Sequence, residues 1–267
     1  MEPTARYGLE FNPFLKNSKE VLFKSSEFNE AIFRLDYLAK TRGFGLLTGS
    51  PGRGKTTIVR HWASTLNPSL YKVIYTGLST VTVNDFYRNL ASSLGAQASY
   101  RKTENFHAIQ EEITRLALDK RKTPVIIIDE ANYINNAVLN DLKILFNFEM
   151  DSKDRAVILL VGLPQINHTL QLAVHEPLRQ RLLINYNIDG YTKAEGREYI
   201  ENKLKGAGCS QEVFDDAAIE AILNASDGTA RMISKLCNSC LVIGNSKGKN
   251  IISADTVMEA VNENTLE

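Results

Sequence analysis

The sequence has few of the features that mark membrane or secreted proteins. It contains only three cysteines in 267 residues, and an odd, sparse set of this kind predicts a reducing compartment rather than a disulfide framework. No apolar run approaches the roughly 20 residues that span a membrane. The first residues, Met1–Arg6, lack the apolar core of a signal peptide. We therefore expect a cytoplasmic protein without a membrane partner.

An excess of charge of one sign is also absent, because 31 basic residues balance 31 acidic residues. Net charge therefore neither suggests nor excludes a nucleic-acid partner, and any basic surface must be local. The histidines show no metal-ligand spacing. The pair Cys237-x-x-Cys240 has no second pair nearby, so we interpret it as part of a buried helix face rather than a zinc site.

The segment Gly49–Thr56 is the most informative part of the chain, because it reads GSPGRGKT and fits G-x-x-x-x-G-K-[ST] at every specified position. An apolar run precedes it and a helical pattern follows it. In that setting the glycines let backbone N–H groups surround phosphate oxygens. The pattern predicts that Lys55 reaches the β- and γ-phosphates of ATP and that the Thr56 hydroxyl binds Mg²⁺. The predicted ATP-binding residues are Ser50, Pro51, Gly52, Arg53, Gly54, Lys55, Thr56 and Thr57.

Two adjacent acids, Asp129 and Glu130, end the apolar run Val125–Ile128. Taken alone, such a pair is more typical of a helix start. Beside a phosphate loop it indicates hydrolysis, because ligands of open α/β sheets bind at the carboxyl ends of the strands. We expect Asp129 to complete the Mg²⁺ site and Glu130 to orient or deprotonate the attacking water.

Apolar strand patterns alternate with helical patterns over the first part of the chain, which predicts a parallel sheet sandwiched by helices. After Tyr186 the strand patterns stop and helical patterns follow. We therefore predict an α/β domain over residues 1–189, with an N-terminal extension at 1–25, and a small helical domain over 190–267. The predicted strands are 43–48, 73–75, 125–128, 156–161 and 182–186, and the predicted helices are 57–63, 84–94, 104–120, 136–148, 193–205, 211–225, 231–244 and 254–262.

Three arginines are candidates for contact with the triphosphate. Arg179 and Arg181 lie at the end of the predicted α/β domain. A guanidinium there can offset charge that develops on the γ-phosphate, in the same chain or a neighbouring subunit. The alternative for each is an ordinary surface helix. Arg231 begins a helix of the small domain and can link a bound phosphate to that domain, or it is simply a solvated arginine.

Together these elements resemble the AAA+ ATPases, and more specifically the ExeA-type ATPases, over almost the whole chain. The resemblance implies a P-loop αβα sandwich with strand order 5-1-4-3-2 and a C-terminal helical lid. It also implies an arginine finger at Arg181, with Arg179 as its neighbour, and a sensor-two arginine at Arg231. The further segments that carry it are Tyr7-Gly8-Leu9, Asn12-Pro13-Phe14, Gly162-Leu163-Pro164-Gln165, Gln180-Arg181, Tyr191–Ile200 and Gly228-Thr229-Ala230-Arg231.

One position departs from the pattern of this group. Relatives usually place a polar first-sensor residue at the end of the fourth strand, where this chain has Val161-Gly162-Leu163. A leucine side chain cannot orient water, so the sensor is either Gln165 or absent. This favours a slow ATPase that acts as a timer or switch.

ExeA-type chains divide into two functional classes. Secretion ATPases of this type generally continue into a membrane span and a peptidoglycan-binding domain, whereas this sequence ends at Glu267. The chain is similar in kind to the transposition regulators TnsC, IstB and MuB. That resemblance implies a homo-oligomer, as a ring or helical filament, which assembles on double-stranded DNA with ATP and recruits a transposase, with a target-selection protein as a candidate further partner. A secretion or cell-envelope ATPase and a clamp-loader-like or signalling ATPase are the alternatives.

A DNA-contacting surface must then be local. The segment Ser99–Thr103 combines two cations with an aromatic ring just before a predicted helix. We expect Arg101, Lys102 and Thr103 to contact phosphates without reading bases. We interpret the basic run Lys120–Lys122 as a solvated turn at the sheet edge opposite the nucleotide.

Overall fold

The computed structural model describes residues 2–77 and 81–264. Its sheet has five parallel strands in the order β2-β3-β4-β1-β5. Read from the other edge, this is the order 5-1-4-3-2, so the predicted P-loop αβα fold is confirmed. The strands are β1 (Gly43–Gly49), β2 (Tyr71–Thr76), β3 (Thr123–Ile128), β4 (Val157–Gly162) and β5 (Leu182–Ile188).

Burial along the strands follows from this order. Every residue of the three inner strands, β1, β3 and β4, is buried, as expected of parallel strands that helices cover on both faces. The edge strands β2 and β5 are buried at only some positions. Because all strands are parallel, the loops after β1, β3 and β4 leave the same edge of the sheet.

Helices connect the five strands, and further helices follow β5. α4 shows how local sequence sets their bounds. Its N-cap Thr82 accepts a hydrogen bond from the Asp85 N–H, and Gly95 ends it in the left-handed conformation. The helices are α1 (Pro3–Arg6), α2 (Ser26–Thr41), α3 (Lys55–Thr65), α4 (Val83–Leu94), α5 (Lys102–Thr114), α6 (Asn136–Leu145), α7 (Gln165–Gln171), α8 (Glu176–Arg179), α9 (Lys193–Gly206), α10 (Asp216–Ser226), α11 (Ala230–Ser246) and α12 (Ala254–Asn264).

Two predicted helices differ most from the observed ones. The helix expected over 104–120 is α-helical only to Thr114 and continues as a π-helical turn over Arg115–Asp119. The helix expected to begin at residue 211 begins at Asp216. There the Asp215 carboxylate accepts the N–H of Ala218 and caps the helix. The residues just before this cap pair with the segment ahead of α12 instead.

The described residues divide into two compact units. The sheet unit comprises Asn29–Pro51 and Lys55–Ile188. The helical unit comprises residues up to Phe28, the segment Gly52–Gly54, and the described residues from Asp189 onward. Its core joins α9–α12 to the N-terminal segment: the buried Tyr7 donates a hydrogen bond from its hydroxyl to the carbonyl of Lys249 at 3.1 Å.

The cysteine pair lies where the sequence indicated. Cys237 and Cys240 are both buried on α11. Among residues 2–77 and 81–264 there is no cluster of three or more His, Cys, Asp or Glu side chains suited to hold a metal ion. Within the same ranges, each helix is too short or too polar to cross a membrane.

Candidate nucleotide and magnesium site

The phosphate loop runs from the end of β1 to the start of α3. Gly49 ends the strand, and a Cβ there would lie 2.8 Å from the carbonyl oxygen of Ile188, so the close approach of β1 to β5 requires glycine. Gly52 and Gly54 have φ angles of 79° and 92°, a left-handed conformation that side chains disfavour. The sequence therefore builds the sharp turn that a phosphate-binding loop needs.

Lys55 is the first residue of α3, and its ammonium group turns back over the loop. It donates hydrogen bonds to the carbonyls of Gly49 at 2.6 Å and Ser50 at 3.0 Å. The loop therefore ends at a cation and at the N-terminus of an 11-residue helix, both of which favour a bound anion. Thr56 and Thr57 follow in the first turn of this helix.

Thr56 and Asp129 meet although they are far apart in sequence. Asp129 directly follows β3 and is 6% exposed. Its Oδ2 accepts a hydrogen bond from the Thr56 hydroxyl at 3.3 Å, and its Oδ1 accepts one from the N–H of Glu130 at 2.9 Å. A hydroxyl and a carboxylate are oxygen ligands of the kind that Mg²⁺ prefers, so this pair fits the cation that accompanies ATP.

Glu130 occupies a different environment from its neighbour. Its side chain is exposed, and its backbone is left-handed, with φ 53° and ψ 37°, which is uncommon for glutamate. This left-handed residue turns the backbone away from the direction of β3 and precedes the 3₁₀ turn Ala131–Tyr133. One acid therefore lies buried among hydrogen-bond donors, while the next is presented to solvent.

Tyr75, which no sequence motif singled out, also contacts Asp129. It lies near the carboxyl end of β2, next to β3, and its hydroxyl donates to Asp129 Oδ2 at 2.8 Å. Burial and then this hydrogen bond raise the pKa of Tyr75 to about 12. The position of Tyr75 in the sequence could have indicated this contact. A polar residue at the end of β2 lies beside the end of β3 once the strand order is known.

Asn132 is a second residue that sequence reasoning missed. Its Oδ1 accepts the backbone N–H of Leu163 at 2.9 Å, so it joins the turn after Glu130 to the end of β4. A Cβ on Gly162 would lie 2.9 Å from this oxygen, which explains why glycine stands there. Gln165, the candidate first sensor, begins α7. A polar side chain thus lies beside Leu163, but it comes from the loop after β3.

Arg231 lies in the helical unit with the tip of the loop. Its backbone N–H donates to the carbonyl of Gly52 at 3.2 Å, and its side chain is exposed. Arg53 forms an ion pair with Asp227 at 3.1 Å. The predicted ATP-binding segment Gly52–Gly54 and the predicted sensor-two arginine are therefore neighbours.

Arg179 and Arg181 bind other parts of the sheet unit rather than the phosphate loop. Arg181 donates to the carbonyl of Lys143 at 2.7 Å and forms an ion pair with Asp151. Arg179 donates to two carbonyls at the end of α7, at 3.1 and 3.3 Å. The Arg181 side chain is 23% exposed, so it remains accessible at the surface.

The candidate DNA-contacting residues Arg101, Lys102 and Thr103 differ in their exposure and in their contacts. The Arg101 side chain is 78% exposed and forms a long ion pair with Glu104 at 3.4 Å. Lys102 forms an ion pair with Asp141 at 2.5 Å, and its ammonium group lies over the ring of Tyr87. The charge of Lys102 is therefore already paired within the protein. Thr103 is exposed on the first turn of that helix.

Comparisons with known proteins agree with this fold. Residues 38–170 match the family described as "AAA domain". The chain is 29% identical to General secretion pathway protein A of Aeromonas hydrophila over 265 residues, which covers 96% of this chain and 48% of that protein. The chain thus spans about half the length of this curated relative.

Solved structures share the architecture at lower identity. The Cdc6p structure from Pyrobaculum aerophilum matches with a TM-score of 0.72 at 16% identity, covering 94% of this chain and 70% of that one. The Aeropyrum pernix ORC1 protein in complex with DNA matches with a TM-score of 0.66 at 19% identity, covering 94% and 68%. With its phosphate loop, acidic pair and strand order, the chain has the P-loop αβα fold and resembles the ATPases of the AAA+ class.

Proposed function

We propose that this ATPase is an ATP-dependent regulator of DNA transposition. In its ATP-bound state it assembles as an oligomer on double-stranded DNA and recruits or activates a transposase at the target site. The observation that carries the nucleotide dependence is the contact between Thr56 and Asp129 beside the loop that ends at Lys55. The ORC1 protein of similar fold was solved in complex with DNA, which supports a nucleic-acid role.

The residues of the candidate site have distinct roles in the proposed hydrolysis. Residues 50–57 bind the triphosphate, with Lys55 on the β- and γ-phosphates. Thr56 and Asp129 hold Mg²⁺, which when bound offsets the charge of the phosphates. Glu130, exposed beside the buried Asp129, orients or deprotonates the attacking water.

The variant Glu130→Gln tests this assignment. We expect ATP binding to persist, hydrolysis to slow by roughly 10²–10⁴-fold, and the oligomer on DNA to last longer. Glu111→Gln removes the same charge from an exposed position on α5 and serves as the matched control. If Glu130→Gln hydrolyses ATP at the wild-type rate, Glu130 is not the residue that activates water.

Arg181, with Arg179 as its neighbour, is the proposed finger that a subunit supplies to the nucleotide of the next subunit. In the single chain it is held by the Lys143 carbonyl and Asp151, so assembly would exchange these bonds for the γ-phosphate. Arg231 is the proposed sensor that contacts the nucleotide within its own chain.

Mixing two inactive variants tests the finger. A Lys55→Ala subunit cannot bind ATP but carries Arg181, whereas an Arg181→Ala subunit binds ATP but lacks the finger. An equimolar mixture should regain part of the wild-type rate if Arg181 acts across subunits. A mixture as inactive as either variant alone would refute action in trans.

Arg101 is the proposed phosphate contact on DNA, because it keeps most of its side chain exposed and Tyr100 beside it is 86% exposed. Loss of one phosphate contact should lower the slope of log Kd against log salt by about 0.9. We expect this lower slope from Arg101→Ala, with unchanged ATP affinity. Because Lys102 is already paired with Asp141, the double variant with Lys102→Ala should lower the slope little further. Lys120→Ala is the charge-matched control. If Arg101→Ala and Lys120→Ala lower the salt dependence of DNA binding equally, Arg101 is not a specific phosphate contact.

A role in secretion or cell-envelope assembly is the second candidate, and the similarity to General secretion pathway protein A favours it. This role predicts protein or membrane partners and no ATP-dependent affinity for DNA. Electron microscopy of the protein with duplex DNA, with and without a non-hydrolysable ATP analogue, separates the two. Filaments or rings on DNA only with the analogue support the transposition role, and their absence supports the secretion role.

A further inference from the structure

The residue Asp129 is attached to β2 at two points. Its backbone N–H donates to the carbonyl of Thr76 at 3.0 Å, which continues the pairing of β2 with β3. One residue earlier on β2, the Tyr75 hydroxyl donates to Asp129 Oδ2 at 2.8 Å. The end of β2 therefore holds both the main chain and the side chain of this acid.

Hydrophobic burial does not explain the position of Tyr75. The residue is 55% exposed, and its ring lies against Gly77, where a Cβ would be 3.5 Å from the ring edge and from the hydroxyl. The described polar contact of its hydroxyl is with Asp129. An exposed tyrosine whose hydroxyl binds a buried carboxylate gains its orientation from that hydrogen bond.

The same carboxylate oxygen accepts the hydroxyl of Thr56 at 3.3 Å. Two hydroxyls, one on α3 and one on β2, thus converge on Asp129 Oδ2. The other oxygen, Oδ1, accepts the adjacent backbone N–H of Glu130. Removal of the Tyr75 hydroxyl would therefore take away the shorter of these two described bonds to Oδ2, and the carboxylate would be held less firmly relative to Thr56.

We propose that Tyr75 is a positioning residue that holds the Asp129 carboxylate toward Thr56. The Asp129 carboxylate and the Thr56 hydroxyl are thereby oriented, before the nucleotide binds, to coordinate its Mg²⁺. This inference rests on the proposed role of Asp129 at the metal. Residues that orient metal-binding groups in this way typically contribute 10–100-fold to metal affinity. We expect the lower end, because Tyr75 is more than half exposed and water can replace part of its hydrogen bond.

The test is Tyr75→Phe, with Tyr133→Phe as the matched control, because Tyr133 is a similarly exposed tyrosine, 58% exposed, on the neighbouring turn. Binding of a fluorescent ATP analogue is measured in EDTA and across a Mg²⁺ titration, without relying on turnover. Tyr75→Phe should bind the analogue normally in EDTA, melt at the wild-type temperature, and need about 10-fold more Mg²⁺ for half-maximal tightening. Tyr133→Phe should match the wild type.

Asp129→Asn and the double variant with Tyr75→Phe complete the experiment. If Asp129→Asn shifts the Mg²⁺ dependence, the double variant should add nothing further, because the hydroxyl acts through that carboxylate. A shift with Asp129→Asn but none with Tyr75→Phe overturns the inference alone. No shift with Asp129→Asn overturns the proposed metal role as well. A lower Mg²⁺ requirement in Tyr75→Phe would mean that the hydroxyl competes with the cation, which also contradicts the inference.

Discussion

Glu195 binds the residues at the start of α2 and of α9, and its replacement by glutamine provides a quantitative test of the structure. Its Oε1 accepts the N–H and the hydroxyl of Ser26, at 2.9 and 2.5 Å. Its Oε2 accepts the N–H and the hydroxyl of Thr192, at 3.1 and 3.0 Å, in a capping box at the start of α9. Each oxygen thus faces one backbone donor and one hydroxyl.

Glutamine has the same size but replaces one oxygen with an NH₂ group. A hydroxyl can rotate and accept from that group, whereas a backbone N–H can only donate. Either orientation of the amide therefore leaves the N–H of Ser26 or Thr192 facing a donor. An unsatisfied donor costs about 1–3 kcal/mol when buried. Because Glu195 is only partly buried, we expect Glu195→Gln to lower the free energy of unfolding by about 1–2 kcal/mol at pH 7.

The effect should depend on pH in a defined direction. Burial alone would raise the pKa of Glu195, but the hydrogen bonds from Ser26 and Thr192 outweigh it, so the pKa lies below its ordinary value. A lowered pKa stabilises the fold above the unfolded value of about 4.3, and this stability is lost as the pH falls through the folded pKa. The difference between wild type and Glu195→Gln should therefore be full near pH 7 and shrink in acid.

Urea unfolding followed by circular dichroism, at pH 7 and in steps below pH 5, measures both quantities. Glu198→Gln is the control, since Glu198 is exposed on the same helix. It should unfold like the wild type at every pH. If Glu195→Gln is as stable as the wild type at pH 7, or if its deficit is unchanged in acid, the network does not contribute as described.

Two further predictions concern packing and thiol chemistry. Gly49→Ala places a Cβ 2.8 Å from the Ile188 carbonyl, so it should lower the melting temperature by several degrees and weaken ATP binding; a wild-type melting curve would show that β1 and β5 are not so close. Burial raises the pKa of the Cys237 thiol and raises that of Cys240 to about 12, whereas Cys209 is half-buried. Ellman's reagent at pH 8 should therefore modify only Cys209 rapidly in the native protein, and rapid reaction of all three thiols would contradict the buried helix face.

Local sequence patterns predicted the elements of the site well. The run of apolar residues before Asp129 became β3, buried at every position, because a parallel strand covered on both faces must be apolar throughout. The spacing of Gly49, Lys55 and Thr56 placed the phosphate loop, since a loop that turns around phosphate depends on a few consecutive backbone angles. These signals lie within short segments, so one sequence is enough to read them.

Helix ends and side-chain partners were harder to predict. The change from α- to π-helix at Arg115 leaves the apolar pattern almost unaltered, so no periodicity marks it. The sequence indicates Lys102 as a DNA contact because of its charge, yet in the structure its ammonium group pairs with Asp141 and lies over the ring of Tyr87. A basic residue in a promising segment does not reveal whether an acid from another helix neutralises it.

The sequence by itself determined that a glycine-rich loop and an acidic pair lie at the ends of buried parallel strands. Only the tertiary structure decided that Tyr75 binds Asp129, that Asn132 binds Leu163, and that Tyr7 joins the helical unit at Lys249. The physical reason is that the loop motif is encoded by consecutive backbone conformations. These three contacts depend instead on which strands and helices become neighbours, and that is settled by the packing of the whole chain.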